Sequence, residues 1–142
     1  MRRIVILKSV SSTGKTSTLN ALISKLFAKG ALLIYPKEKS GNTSFIICGF
    51  EGHKIGIITF GDPTSDPDVQ DCLKKCMEHQ CDVIFAASRT RGNVYDILYN
   101  FAKINHFATV ETTPLYAWKY KETGENPEVL NGICSNMLFS LI

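Results

Sequence analysis

The apolar positions of the chain fall into short blocks whose spacing switches between strand and helix periods. Residues 3–8 carry four consecutive apolar side chains, Ile4 to Leu7, the signature of a strand buried on both faces. After a polar loop at 9–14, Leu19, Leu22, Ile23 and Leu26 recur at helical spacing, and Gly30 supplies a stop. Residues 31–35 read as a second strand closed by Pro36, and the polar stretch 37–42 reads as a loop. Two strand-like runs follow at 43–50 and 54–60, separated only by Glu51, Gly52 and His53. So short a connection predicts an antiparallel hairpin. Gly61-Asp62-Pro63 ends the second run.

Asp66 followed by Pro67 predicts a helix start, because an Asp side chain accepts from first-turn amides and proline fits there; this helix extends to about His79. Residues 82–87 predict another buried strand, and 88–92 a loop. Asn93 is expected to cap a helix running to about Asn105, with Val94, Ile97, Leu98, Phe101 and Ala102 inward. Residues 107–111 read as a strand and 112–124 as irregular chain. Asn126-Pro127-Glu128 then opens a last helix carrying Val129, Leu130, Ile133, Met137 and Leu138.

Strands alternating with helices predict an α/β three-layer sandwich over a single domain, residues 1–142, with a mostly parallel sheet and one antiparallel hairpin. In such sheets ligands bind at the C-terminal ends of the strands. Three loops are expected to converge there: 9–16, 61–65 and 88–92. These segments hold the polar residues with the most useful chemistry.

Composition narrows the class. A hydrophobic fraction of 44% and a charged fraction of 20% exclude wholesale disorder. The net charge of +3 is mild and the Lys and Arg residues are scattered, so nucleic acid is not indicated as the main partner. No apolar run approaches the roughly 20 residues that span a bilayer, and Met1-Arg2-Arg3 leads straight into a strand rather than a signal-peptide pattern. The expectation is a cytoplasmic protein without a membrane partner. Five cysteines, an odd count, predict reduced thiols. Cys72 and Cys76 share a helix face, with Cys81 just beyond, and read as small apolar core residues rather than metal ligands.

Between the first strand and the first helix stands Lys8-Ser9-Val10-Ser11-Ser12-Thr13-Gly14-Lys15-Thr16. Gly14, Lys15 and Thr16 match the end of the phosphate-loop pattern, a glycine, four residues and Gly-Lys-Ser/Thr, with Ser9 in place of the first glycine. On these residues the chain resembles the P-loop NTPase superfamily. The motif covers about the first thirty residues, and the remainder is similar only through its α/β order.

That resemblance implies a nucleotide bound through its phosphates. Successive backbone N–H groups of such a loop form an anion nest, and the following helix adds the positive end of its dipole. Ser9, Ser11, Ser12, Thr13, Gly14, Lys15, Thr16 and Ser17 are then the binding residues; Ser17 and Thr18 lie one turn into the helix, where one of them would touch the α-phosphate. Gly14 admits the phosphates without a Cβ in the way. The Lys15 ammonium would neutralise the β- and γ-phosphates, and the Thr16 hydroxyl would ligate Mg²⁺.

The superfamily also places an acidic residue after an apolar strand to hold the magnesium ion through water; Asp62, after the run at 55–60, is similar. Asp66 reads as a helix cap. Arg89 and Arg91 flank a turn after a strand expected beside the phosphate-loop strand, where an arginine stabilises charge on a γ-phosphate in transfer, or binds an anionic second substrate. The loop 37–42 occupies a place similar to the first switch of nucleotide-dependent switches. The Asn-Lys-x-Asp pattern that reads guanine in GTPases is absent, which favours ATP over GTP. His53, His79 and His106 have no Ser or Cys partner in a nucleophilic motif, and Trp118, between Tyr116 and Tyr120, reads as packing before it reads as an adenine platform.

Three activities fit these residues. Lys15, Thr16 and Asp62 could assemble MgATP for hydrolysis, with Arg89 or Arg91 aiding in cis. An acceptor near the arginines would make the chain a small-molecule or nucleotide kinase, although little sequence is free to form a lid. The third is a sensing module that binds nucleotide, turns over slowly and signals to a protein partner or a second copy.

Overall fold

The apolar run at the N-terminus becomes β1 (Arg3–Lys8) in a computed structural model, which describes residues 2–9, 14–36, 44–60, 66–90, 92–114 and 127–142. The elements that follow are α1 (Lys15–Ala28), β2 (Leu32–Tyr35), β3 (Phe45–Phe50), β4 (His53–Ile58), α2 (Asp66–Glu78), β5 (Val83–Ser88), α3 (Asn93–Ile104), β6 (Ala108–Thr112) and α4 (Pro127–Phe139). Ser11, Ser12, Thr13, Asp62 and Arg91 lie outside the described residues, as do the loop at 37–42 and the aromatic group Tyr116, Trp118 and Tyr120.

The six strands form one mixed sheet in the order β2-β3-β4-β5-β1-β6. Strands β4, β5, β1 and β6 run parallel, and β3 pairs antiparallel with both β2 and β4. It follows that β3 alone opposes the others, so the sheet is mostly parallel around the expected hairpin. That hairpin turns through two residues, Glu51 at φ 49° and Gly52 at φ 80°, a left-handed pair that follows the strand twist.

Alternation along each strand sends side chains to two cores. Val5, Leu7, Ile55, Ile57 and Phe85 meet Leu19, Leu22, Ile23 and Leu26 of α1 and Cys134 and Leu138 of α4 on one face. Ile4, Ile6, Ile58, Ile84 and Ala86 meet Val69, Cys72, Leu73 and Cys76 of α2 and Val94, Leu98 and Ala102 of α3 on the other. Helices therefore cover both faces, and the central strands are apolar on both sides for that reason.

One local expectation is corrected. Asn93 is the first residue of α3 rather than its cap; Gly92, at φ 114°, holds that position without a side-chain cap. On α4, Val129, Ile133 and Met137 point to solvent, while Cys134, Ser135 and Leu138 are buried. Among the described residues no helix is long and apolar enough to cross a membrane.

Candidate functional site at the C-terminal edge of the sheet

Three parallel strands, β4, β5 and β1, lie side by side, and their C-terminal ends share one edge. Lys8, the last residue of β1, is in register with Ser88, the last of β5. The amide of Ser9 donates to the carbonyl of Ser88 at 3.2 Å, carrying the ladder one step past the strand. Strand β5 thus neighbours β1, as expected, and stands between it and β4, the strand that leads toward Asp62.

The chain re-enters the described structure at Gly14, the N-cap of α1, with φ 88° and ψ 15°. This left-handed geometry suits glycine. A second reason is steric: a Cβ there would stand 3.2 Å from Oδ1 of Asn131 on α4. Among the described residues no side chain caps the first turn of α1, and no acidic residue stands in that turn to offset its positive dipole end.

The Nζ of Lys15 donates to the carbonyl of Ser9 at 2.8 Å. This bond ties the start of α1 to the residue that follows β1. Thr16 is exposed, and its hydroxyl donates to the carbonyl of Thr59 at 2.9 Å, just beyond the end of β4. Thr59 is itself anchored: its amide and its hydroxyl both donate to the Ser44 carbonyl, at 2.9 and 3.1 Å. Ser17 is exposed beside them. Thr18, in contrast, is fully buried and donates to Asn131 Oδ1 at 3.3 Å. It faces α4 and not the edge where phosphates would lie.

Ser88 is buried and donates to the carbonyl of Arg89 at 2.8 Å, which shapes the turn leaving β5. Arg89 is half-buried at that turn. On the other flank of β1, Lys8 Nζ lies 2.9 Å from Glu111 Oε2 on β6 and 5.2 Å from the centroid of the Tyr95 ring. Tyr95 donates to the other carboxylate oxygen of Glu111 and stacks on Tyr99. The hydrogen bonds from Tyr95 and Lys8 hold the Glu111 carboxyl below its ordinary range, and Glu111 in turn raises both Lys8 and Tyr95. The group is therefore charged and paired at neutral pH, directly before the loop.

Beyond Thr59 a cleft of about 400 Å³ opens between β3, β4 and α2, lined by Ser44, Phe45, Phe60, Asp68, Asp71 and Cys72. It shares Ser44 with the anchor of Thr59 and lies on the α2 face of the sheet, opposite the face that α1 covers.

The thiols belong to the two cores, with Cys72 also lining the cleft. Cys48, Cys76 and Cys134 are fully buried and Cys72 and Cys81 nearly so. Burial pushes the Cys48 thiol up to about 11 and the Cys72 thiol up to about 12. The Cys76 thiol is raised further by its hydrogen bond with Cys81 and by burial. Cys48, Cys72 and Cys76, held protonated by burial, behave as small apolar core residues. Among the described residues no group of three His, Cys, Asp or Glu is placed to hold a metal.

The structure brings Ser9, Gly14, Lys15, Thr16, Ser17 and Arg89 to one edge. Two contributors escaped the sequence pattern: Thr59 as acceptor of the Thr16 hydroxyl, and Asn131 against Gly14 and Thr18. A threonine closing the apolar run of β4 was a visible signal for the first. Nothing local signals Asn131, which lies 113 positions from Thr18. Comparison with protein-family models, with curated proteins and with solved structures found no match to this chain.

Proposed function

We propose that this chain is a P-loop nucleotide-binding protein that binds ATP with Mg²⁺ and hydrolyses it at the γ-phosphate. The observation that carries the reading is the junction of β1 and α1. A left-handed Gly14 is followed by Lys15 and Thr16 on an uncapped helix start, at the edge where three parallel strands end. Backbone amides in a helix's first turn have no intrahelical partner, and an ammonium beside them suits a polyanion.

The residues also fit a hard cation. Thr16 gives its proton to the Thr59 carbonyl, which leaves the lone pairs of its oxygen for a ligand. Mg²⁺ would be held by Thr16 with Asp62, and when bound it supplies charge neutralisation between the phosphates. Lys15 would bind the β- and γ-phosphate oxygens, exchanging its bond to Ser9 for them. Arg89, at the end of the neighbouring β5, would approach the γ-phosphate with Arg91 and stabilise charge that grows as the phosphoryl group departs. The missing Asn-Lys-x-Asp pattern favours ATP as the nucleotide.

The cleft beside Thr59 favours kinase activity as the second reading. Its volume of about 400 Å³ suits a small acceptor, and it shares Ser44 with the anchor of Thr59, whose carbonyl accepts from Thr16.

Titration of a fluorescent ATP analogue with Mg²⁺, on wild type and Lys15→Ala, tests the shared premise. Loss of binding in the variant supports it, and equal binding by both proteins overturns it. ADP release in buffer alone supports hydrolysis; release that depends on an added acceptor supports the kinase; binding without release leaves a sensing module.

A further inference from the structure

The C-terminal helix meets the junction of β1 and α1 through the side chain of Asn131. Asn131 is half-buried in a helix face otherwise filled by Cys134, Ser135 and Leu138. Its Oδ1 accepts from the hydroxyl of Thr18 at 3.3 Å and lies 3.2 Å from the position a Cβ on Gly14 would take. The amide of Thr18 donates to the carbonyl of Gly14 at 2.8 Å, closing the first turn of α1. Asn131 therefore bears on both ends of that turn, at the residue with left-handed geometry and at the residue that completes the first helical hydrogen bond.

We infer that Asn131 is a positioning residue for the phosphate site: it fixes the Gly14 turn, and with it the direction in which Lys15 and Thr16 leave the helix start. This rests on the nucleotide-binding reading above. The physical reason is reach. Lys15 and Thr16 are separated from the Asn131 contacts by one or two residues, so a tilt of the first turn moves both side chains together. Binding of a polyanion by several converging donors falls steeply when donors shift by even one ångström. An apolar side chain at this place would pack against α1 equally well but would leave the Thr18 hydroxyl buried without an acceptor on α4. That cost makes the asparagine a determinant of the turn rather than a filler.

The experiment compares Asn131→Ala, Thr18→Val, Thr18→Ser and the double variant Asn131→Ala with Thr18→Val. Affinity for a fluorescent ATP analogue with Mg²⁺ is measured beside the thermal midpoint and amide hydrogen exchange over residues 14–19. Expected are a loss of about tenfold in affinity for Asn131→Ala and for Thr18→Val, and a loss in the double variant no larger than in either single one. Thr18→Ser, which keeps the hydroxyl, should bind as wild type. Exchange should quicken at residues 14–19 in the two single variants and remain unchanged in α3. Affinity and exchange equal to wild type in Asn131→Ala would overturn the inference. So would affinity lost only in step with a lowered midpoint and faster exchange everywhere, which is a plain packing role. If wild type binds no nucleotide, the reading of the site fails by itself. Local exchange then decides: residues 14–19 unaffected by Asn131→Ala overturns the positioning role, and local quickening upholds its structural half while the nucleotide role is withdrawn.

Discussion

Gly56 of β4 and Cys76 of α2 share one space: a Cβ on Gly56 would stand 2.5 Å from the Cys76 sulfur. Cys76 is fully buried and hydrogen-bonded to Cys81, so it has little room to yield. Gly56→Ala should therefore destabilise the fold by about 2 kcal/mol, as overpacking does. In a Cys76→Ala background the same substitution should cost much less, because the new methyl fills the space the sulfur leaves. Thermal unfolding of the four proteins measures this, and additive effects would show that the two residues do not compete for space.

Thr16 and the Thr59 carbonyl supply a second prediction. Thr16→Ala should lower the affinity for MgATP by about tenfold or more, about 1.4 kcal/mol, and should flatten its dependence on Mg²⁺ concentration. Thr16→Ser keeps the hydroxyl and should retain both. An alanine variant with undiminished magnesium dependence would remove Thr16 from the cation site.

The raised thiols predict a direction in pH. An unfolded thiol ionises near pH 9, whereas Cys48 in the fold is held protonated to about 11 and Cys72 to about 12. The folded state keeps protons that the unfolded chain releases. The stability from these groups is thus complete below about pH 9 and falls as pH rises through 11 and 12. Urea midpoints measured between pH 8 and pH 11 should decline, and Cys48→Ala should decline less steeply. Thiol titration with a chromogenic disulfide at pH 8 should be slow until denaturant is added.

At the opposite edge of the sheet, Asp82 holds the starts of β4 and β5 together. Its carboxylate lies 2.7 Å from His53 Nδ1 and accepts the Lys54 amide at 2.9 Å. The pair is partly exposed, which limits its worth, so Asp82→Ala should cost about 1 kcal/mol in urea unfolding. Asp82→Asn, which keeps an acceptor for the Lys54 amide, should cost less. Nucleotide affinity should be unchanged in both, because Asp82 stands at the start of β5 and the proposed site at the opposite, C-terminal end of the strands.

Sequence determined the elements because each announces itself within a few residues. The apolar run of β1, the helical spacing of Leu19, Leu22, Ile23 and Leu26, and the Glu51-Gly52 turn were legible from side-chain period and turn chemistry alone. The same holds for Gly14-Lys15-Thr16, whose local backbone requirement is written in three adjacent residues. Tertiary structure decided what depends on elements meeting. It set the order β4-β5-β1, which of the stripes on α4 is buried, the partnership of Thr16 with Thr59, and the approach of Asn131 to Gly14 and Thr18. No local period encodes a contact between residues 113 positions apart. Such a contact exists only once α1 and α4 have packed on the same face of the sheet, and the burial of apolar surface that drives that packing carries no direction of its own.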